Sequence, residues 1–433
     1  MKRFLRRLAA GVVVVLAVAG IAGYVYAHPG RGPKQDVDAS KGYKESIEGV
    51  TVLHLKGSPY ELGFEHGALC RDRVTAGMNA YHSLLNEAHE DTHIPIWVLN
   101  FGLDCVYRMC SPYIPDQYKR ELEGLADGAG VDLAILRRVH VISEVTERNC
   151  TSFAVFGNAT TDGRLLHGHN FDWDTSAGIQ NTAALFLYEP DEGIPFAAFG
   201  YTGMIGYVSG MNMEGVSVGF IGAVTRDGRS AAMPLMLMLR HVLENAHNLE
   251  EAGDLIEHAH RGVGYNYVIA DGDEKDARAF ETTARHFADF GPNDPKETCE
   301  YAIRIEDALF RADEAMDPTV RSFQKCSNGY PNLPYGSGSY ERYKGQADGI
   351  RAAYGKIDPD AAIEILQSVA MRGSNLHSVL CDTTNRVLWA ACAKGDQDAC
   401  TQPYHRFDLK ELFLPPDQRP QHEEAASGTP ASL

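Results

Sequence analysis

The chain has 433 residues, 44% of them hydrophobic, and a formal net charge of −18, which suits a large buried core in one or two domains. So acidic a surface argues against nucleic acid and anionic lipid as partners, because both carry the same sign. No Walker loop, dinucleotide fingerprint or internal repeat appears, and the sequence calls for no cofactor.

Lys2, Arg3, Arg6 and Arg7 precede an apolar run from Leu8 to Ala27, and Val25-Tyr26-Ala27 offers a small-residue cleavage site. The run is also about long enough to span a bilayer. Residues 1–27 therefore read as a signal peptide or a membrane anchor, with 8–27 as the tether. Either places the rest in a secreted, periplasmic or extracellular setting, where disulfides persist. Loss of the four cations takes the net charge from −18 to −22.

Residues 28–44 form a polar Gly/Pro/Lys linker, and Gly49 to Lys56 reads as a strand. Ser58-Pro59-Tyr60-Glu61 is a capping box with proline in the first turn, starting a helix through His66 and Gly67. Further helices run to Glu147, so 45–149 is a helical N-terminal segment. His66 reads as a packed helix residue. His82, His89 and His93 could serve a metal-dependent hydrolase, but their spacing fits no zinc motif, and no metal site is assigned.

The next stretch carries the chemistry. Arg148-Asn149-Cys150-Thr151-Ser152-Phe153-Ala154-Val155, then Asp162-Gly163, then Arg164 through Asp172 read as a hairpin. A cysteine opens its first strand and an aspartate closes its second, so the two ends lie side by side. Once freed as a first residue, Cys150 would carry its own α-amine. That group has an ordinary pKa of roughly 7.7–8.0 and can act as a base near neutral pH. The thiolate is the attacking species.

After the hairpin come strands at Ala183–Tyr188, Phe196–Phe199, Ile205–Ser209 and Val216–Phe220. A helical pair over Pro234–Ala246 and Leu249–His260 follows. A second hairpin, Tyr265–Ala270 with Ala277–Thr282, crosses the turn Asp271-Gly272-Asp273, read as solvated rather than as a calcium loop. Residues 290–340 read as irregular. Helices at Glu341–Tyr354 and Pro359–Ala370 precede strands Ser378–Asp382 and Arg386–Ala391, and 415–433 reads as a disordered tail. Two groups of strands with helices outside them make an α+β sandwich of layers.

Several segments resemble the isopenicillin-N acyltransferase-like family of cysteine N-terminal nucleophile hydrolases, with a looser similarity to acid ceramidase and the N-acylethanolamine amidases. They include Gly57-Ser58-Pro59-Tyr60-Glu61-Leu62-Gly63, Cys150-Thr151-Ser152, His167-Gly168-His169-Asn170-Phe171-Asp172, Gly210-Met211-Asn212, Asn266 to Asp271 and Asn375-Leu376-His377-Ser378. The resemblance implies a four-layer αββα sandwich over 150–414 and self-cleavage between Asn149 and Cys150. It also implies an α/β-chain heterodimer and hydrolysis or transfer of an acyl group from a small N-acyl amide through a cysteine thioester. It gives Asp172 the α-amine or a nearby cation to hold. Asn328, in Ser327-Asn328-Gly329, becomes an oxyanion donor. Arg342 pairs with Asp172 or binds a substrate carboxylate. His169, Asn170 and Asn212 fall in substrate-binding or supporting positions. The chain departs from the family where relatives often have Gln or Arg (His169), glycine (Asn149) or Asn (Ile221).

The cysteines leave a second reading open. There are nine, an odd number; if eight pair, one thiol is left over, and Cys150 is a candidate for it. Cys105–Cys110 and Cys392–Cys400 are the easiest local closures. A disulfide-stabilised binding protein, with Cys150 bridged and the chain whole, is the alternative to the enzyme.

Overall fold

The computed structural model describes residues 30–37, 41–145, 149–173, 175–229, 231–324 and 337–420. The segment 1–27, Asn328 and the tail beyond 420 lie outside the described residues. Among those described, no helix is long and apolar enough to cross a membrane.

A hairpin of β1 (Tyr43–Ile47) and β2 (Val50–Gly57) leads into five helices: α1 (Pro59–Leu69), α2 (Arg71–Thr92), α3 (Ile96–Cys110), α4 (Asp116–Ala129) and α5 (Leu133–Val141). The capping box forms as read, since the Glu61 carboxylate accepts the Ser58 N–H at 2.8 Å. Helices α1 and α4 cross so closely that a Cβ on Gly63 would run into the Glu121 carbonyl, and one on Gly124 into that of Tyr60. Only glycine allows that approach.

The body begins with the hairpin β3 (Asn149–Gly157) and β4 (Gly163–Asp172), then β5 (Ala183–Pro190), β6 (Phe196–Tyr201), β7 (Ser209–Asn212) and β8 (Val216–Gly222). Helices α6 (Leu235–Asn245) and α7 (Leu249–His258) follow, then β9 (Tyr265–Asp271), β10 (Asp276–Thr282), β11 (Phe287–Phe290), β12 (Ala308–Arg311) and α8 (Pro318–Phe323). The chain ends through α9 (Ser337–Ala353), α10 (Pro359–Val369), β13 (Asn375–Asp382), β14 (Val387–Cys392), β15 (His405–Asp408) and α11 (Leu409–Leu412).

Two sheets result, ordered β1-β2-β5-β6-β7-β8-β9-β10-β11 and β12-β3-β4-β13-β14-β15. They pack face to face, with β3 over β8 and β9; α9 and α10 cover the smaller sheet, while α6, α7 and α1 cover the larger. This is the four-layer αββα sandwich, with the helical region ahead of it.

Three local expectations change. The strand predicted over Ile205–Ser209 begins only at Ser209, because the Ile205 N–H goes to His140 and its carbonyl to Arg240. The stretch read as irregular contains β12 and α8; β12 is four residues, all buried, too short to show an alternating pattern. In the supposedly solvated turn, Asp271 is buried and its carboxylate accepts the Asp273 and Glu274 N–H groups at 2.8 and 3.2 Å.

The expected disulfides are absent from the described residues, whose eight cysteines are all unbridged. Cys105 and Cys110 lie five residues apart within α3 and so point to different sides of one helix. Cys392 meets the Leu376 carbonyl and Cys400 accepts from Arg372 instead of each other. Nor do His82, His89 and His93 gather as ligands: among the described residues the cluster with that geometry is Asp254, Glu257 and His258, all exposed.

One buried charge cluster fastens the helical segment to the body. Arg240 of α6, fully buried, donates to Glu121 of α4 at 2.7 Å and to the Ile205 carbonyl at 2.9 Å, with Glu244 at 3.4 Å. Tyr118 and Tyr188 donate to Glu244 and Glu121 at 2.6 and 3.2 Å. Burial pushes the Glu121 carboxyl up to about 7. Removing the only cation of this set strands two carboxyls in the core. Arg240→Met is therefore expected to cost about 3–5 kcal/mol in a thermal or denaturant melt. Adding Glu121→Gln and Glu244→Gln to it should recover most of that loss; no recovery would show that the cost was packing alone.

Candidate active site

The hairpin register positions the first pair of residues. Asn149 lies opposite Asp172 and Cys150 opposite Phe171, as the turn chemistry implied. Alternation along a strand then sends Cys150 and Asp172 to opposite faces of the sheet. Their common partner is a third group. Arg342, from the first turns of α9, donates to the Cys150 carbonyl at 3.1 Å and reaches the Asp172 carboxylate at 3.4 Å. Its other terminal nitrogen donates to Asp313 at 2.7 Å.

Asp172 is held on its remaining oxygen by the Met371 N–H at 3.3 Å and the Asn375 amide at 2.9 Å. Burial raises its carboxyl to about 6 despite the guanidinium beside it. Of the two partners proposed for Asp172, the structure thus supplies the nearby cation. Asp313 had no place in the sequence reading, yet its carboxylate accepts the Cys150 N–H at 3.4 Å. The segment 312–314 that carries it is clamped by Asn266, whose amide donates to the carbonyls of Ala312 and Glu314, both at 3.1 Å. Ser339 bonds the Asp313 N–H at 3.1 Å and the Glu314 carboxyl. Burial, with Asp313 adding to it, lifts Glu314 to about 8.

The supporting residues sort differently. Asn170 donates to Thr151 Oγ1 and the Leu366 carbonyl and accepts from Ser378 at 2.5 Å, while Ser378 also reaches Asn375 at 3.1 Å. It braces the residues behind Asp172. Asn212 lies on β7 of the other sheet, where it ties the β7–β8 turn to the Leu243 and Ala246 carbonyls. Its amide is committed to backbone, and no contact joins it to Arg342. Asn149 touches Met371 at 3.5 Å.

His169 points between the sheets. Its Nε2–H donates to the Phe220 carbonyl at 2.8 Å, which leaves Nδ1 to accept from Ser209 at 2.6 Å. Ser209 must then accept from His377 Nε2–H at 2.9 Å, and His377 Nδ1 accepts from Tyr201 at 2.8 Å. The whole relay is neutral with one direction, and burial lowers His169 to about 4. In protein labelled with ¹⁵N-histidine, His169 is expected to stay neutral, protonated on Nε2, from pH 8 to 5.5. A midpoint near the ordinary 6.5 would contradict the relay.

An apolar cleft starts where β4 ends. Trp173 follows Asp172 directly, and with Tyr81, Leu84, Val139, Ile142 and Met204 it lines a small apolar cleft of about 40 Å³. One wall comes from the helical segment before Cys150 and the other from the body. The arrangement therefore offers a thiol whose peptide unit is gripped at both N–H and C=O, a carboxylate–guanidinium–carboxylate bridge, and a small apolar cleft at the end of β4.

Residues 159–292 match the family model described as "Acyl-coenzyme A:6-aminopenicillanic acid acyl-transferase". The chain is 25% identical over 361 residues to an uncharacterized protein of Archaeoglobus fulgidus, covering 75% of this chain and 59% of that one. It is 32% identical over 97 residues to the β-alanyl-dopamine/carcinine hydrolase of Drosophila melanogaster, covering 22% and 24%. The chain thus spans less than two thirds of either relative's length. The solved N-acylethanolamine-hydrolyzing acid amidase ortholog of Caenorhabditis elegans overlays with a TM-score of 0.39 and 14% identity, over 54% of this chain and 93% of that one.

Proposed function

With the resemblance to the isopenicillin-N acyltransferase-like family of N-terminal nucleophile hydrolases borne out by the family match, we propose that this chain is a cysteine amidohydrolase activated by cleavage before Cys150. The observation that carries the proposal is the seat of Cys150: it opens β3, its N–H meets Asp313, and its carbonyl meets Arg342, which also holds Asp172. On this reading the freed α-amine takes the thiol proton and the thiolate attacks the substrate carbonyl. The amine leaves, and water then hydrolyses the thioester. Transfer to an amine acceptor would use the same thioester. Export by residues 1–27 belongs to the same proposal.

The substrate class is an N-acyl amide with an apolar acyl group, because the cleft beside Trp173 is walled by aliphatic and aromatic side chains. Intact mass and N-terminal sequencing of the purified protein test the activation step. The wild type is expected to yield a fragment beginning at Cys150, and Cys150→Ala a single uncut chain. An uncut wild type with Cys150 bridged would move the protein to the binding-protein reading. The cleft has its own test in a series of N-acyl amides of increasing chain length. Ala80→Phe narrows the cleft and should lower kcat/KM for the longer members about tenfold relative to the shortest. A uniform loss across the series would place the acyl group elsewhere.

A further inference from the structure

Among the described residues, the cluster around Arg342 holds more acid than base. Asp172, Asp313 and Glu314 are all buried, and the cation bonded to the first two is Arg342. With Glu314 kept neutral, two carboxylates still share one guanidinium. Buried charge without a counter-charge is costly, so among the described residues this site has a place for one more cation. Arg342 takes Oδ2 of Asp313 at 2.7 Å, and its Oδ1 faces the Cys150 backbone nitrogen at 3.4 Å.

We infer that Asp313 is the positioning residue for the α-amine of Cys150: it holds the peptide N–H before cleavage and pairs with the ammonium that cleavage creates. The inference rests on the self-cleavage reading and deepens it. The chemistry balances as follows. Cys150 Sγ attacks the Asn149 carbonyl carbon, the C–S bond forms, the C–N bond breaks, and the thiol proton passes to the leaving nitrogen. Water then hydrolyses the thioester, regenerating the thiol and giving the Asn149 carboxylate. The proton released in that step converts the amine to ammonium. Amide and water become carboxylate and ammonium, and the new cation lies beside Asp313. Asp172 and Arg342 remain paired with each other.

A carboxylate at that distance favours the ammonium and disfavours the thiolate, so it holds the coupled amine–thiol pair at higher pH than it would otherwise titrate. Loss of the charge moves the pair down. The test uses the full chain and two readouts, intact mass for cleavage and the pH dependence of Cys150 alkylation by iodoacetamide, mapped on the fragment that begins with it. Asp313→Asn is expected to shift the alkylation midpoint about one pH unit or more toward acid, and Asp313→Glu to restore it. If Asp313→Asn melts as the wild type does but is not cleaved, cleavage regained in Asp313→Glu supports the inference, and failure of both variants overturns it. An unchanged midpoint in cleaved Asp313→Asn also overturns it and leaves self-cleavage intact. An uncut wild type is the separate outcome that removes the self-cleavage reading itself, and the inference with it.

Discussion

Everything at the candidate site depends on one guanidinium answering three oxygens from three parts of the chain. Arg342 meets the Cys150 carbonyl, Asp172 and Asp313, which lie up to 192 residues from it in sequence. Such a bridge forms only if β3 and β4 are in register, if β12 lies beside β3 to deliver the 312–314 segment, and if α9 packs over both. The electrostatics set the stakes. A buried cation missing one of its partners, or a carboxylate missing its cation, costs several kcal/mol. The order of the smaller sheet, β12-β3-β4, satisfies that demand through the backbone.

The neighbouring polar groups keep this charge from being diluted. The relay from Tyr201 through His377, Ser209 and His169 to the Phe220 carbonyl uses every donor it has, and its histidines are held neutral by burial. His66 and His140 are lowered as well, to about 3 and about 4, and accept the N–H groups of Gly203 and Ile205. Neutral imidazoles thus do structural work between layers, while the Arg342 and Arg240 clusters carry buried formal charge. A satisfied neutral network adds rigidity without adding a competing base near the thiol.

What the sequence made legible was local. An Asp-Gly turn and β-branched flanks give the β3–β4 register, and with it Asn149 opposite Asp172 and Cys150 one step along. The layered architecture followed from the alternation of strand and helix patterns. Arg342 entered through family resemblance, since a helix-start arginine looks like any surface arginine until its partners are known. Asp313 was out of reach because it is 163 residues from Cys150 and sits after a four-residue strand with no periodicity. A buried Asp-Glu pair flanked by alanines was the available hint. Asn212, in the Gly-Met-Asn segment, serves as a turn clamp, with its amide spent on backbone carbonyls. Cysteine parity presumes pairing, and the eight cysteines among the described residues are unbridged, Cys105 and Cys110 lying on different sides of one helix.

Among the described residues, the helical segment before Cys150 contributes none to the Arg342 bridge, yet the architecture does not treat it as a removable leader. Its Glu121 and Tyr118 complete the Arg240 cluster, and its His66 and His140 cap backbone of the body. Its Tyr81, Leu84, Val139 and Ile142 wall the apolar cleft. Were the peptide bond before Cys150 cut, every one of these contacts would remain, because none lies at the junction. Separating the two pieces would expose the buried Arg240 cluster and open the cleft, costs far larger than the entropy gained by one broken link. A cut chain should therefore behave as one body with two new termini. The terminus that matters would be held between Asp313 and the Arg342 bridge, where the fold already grips it.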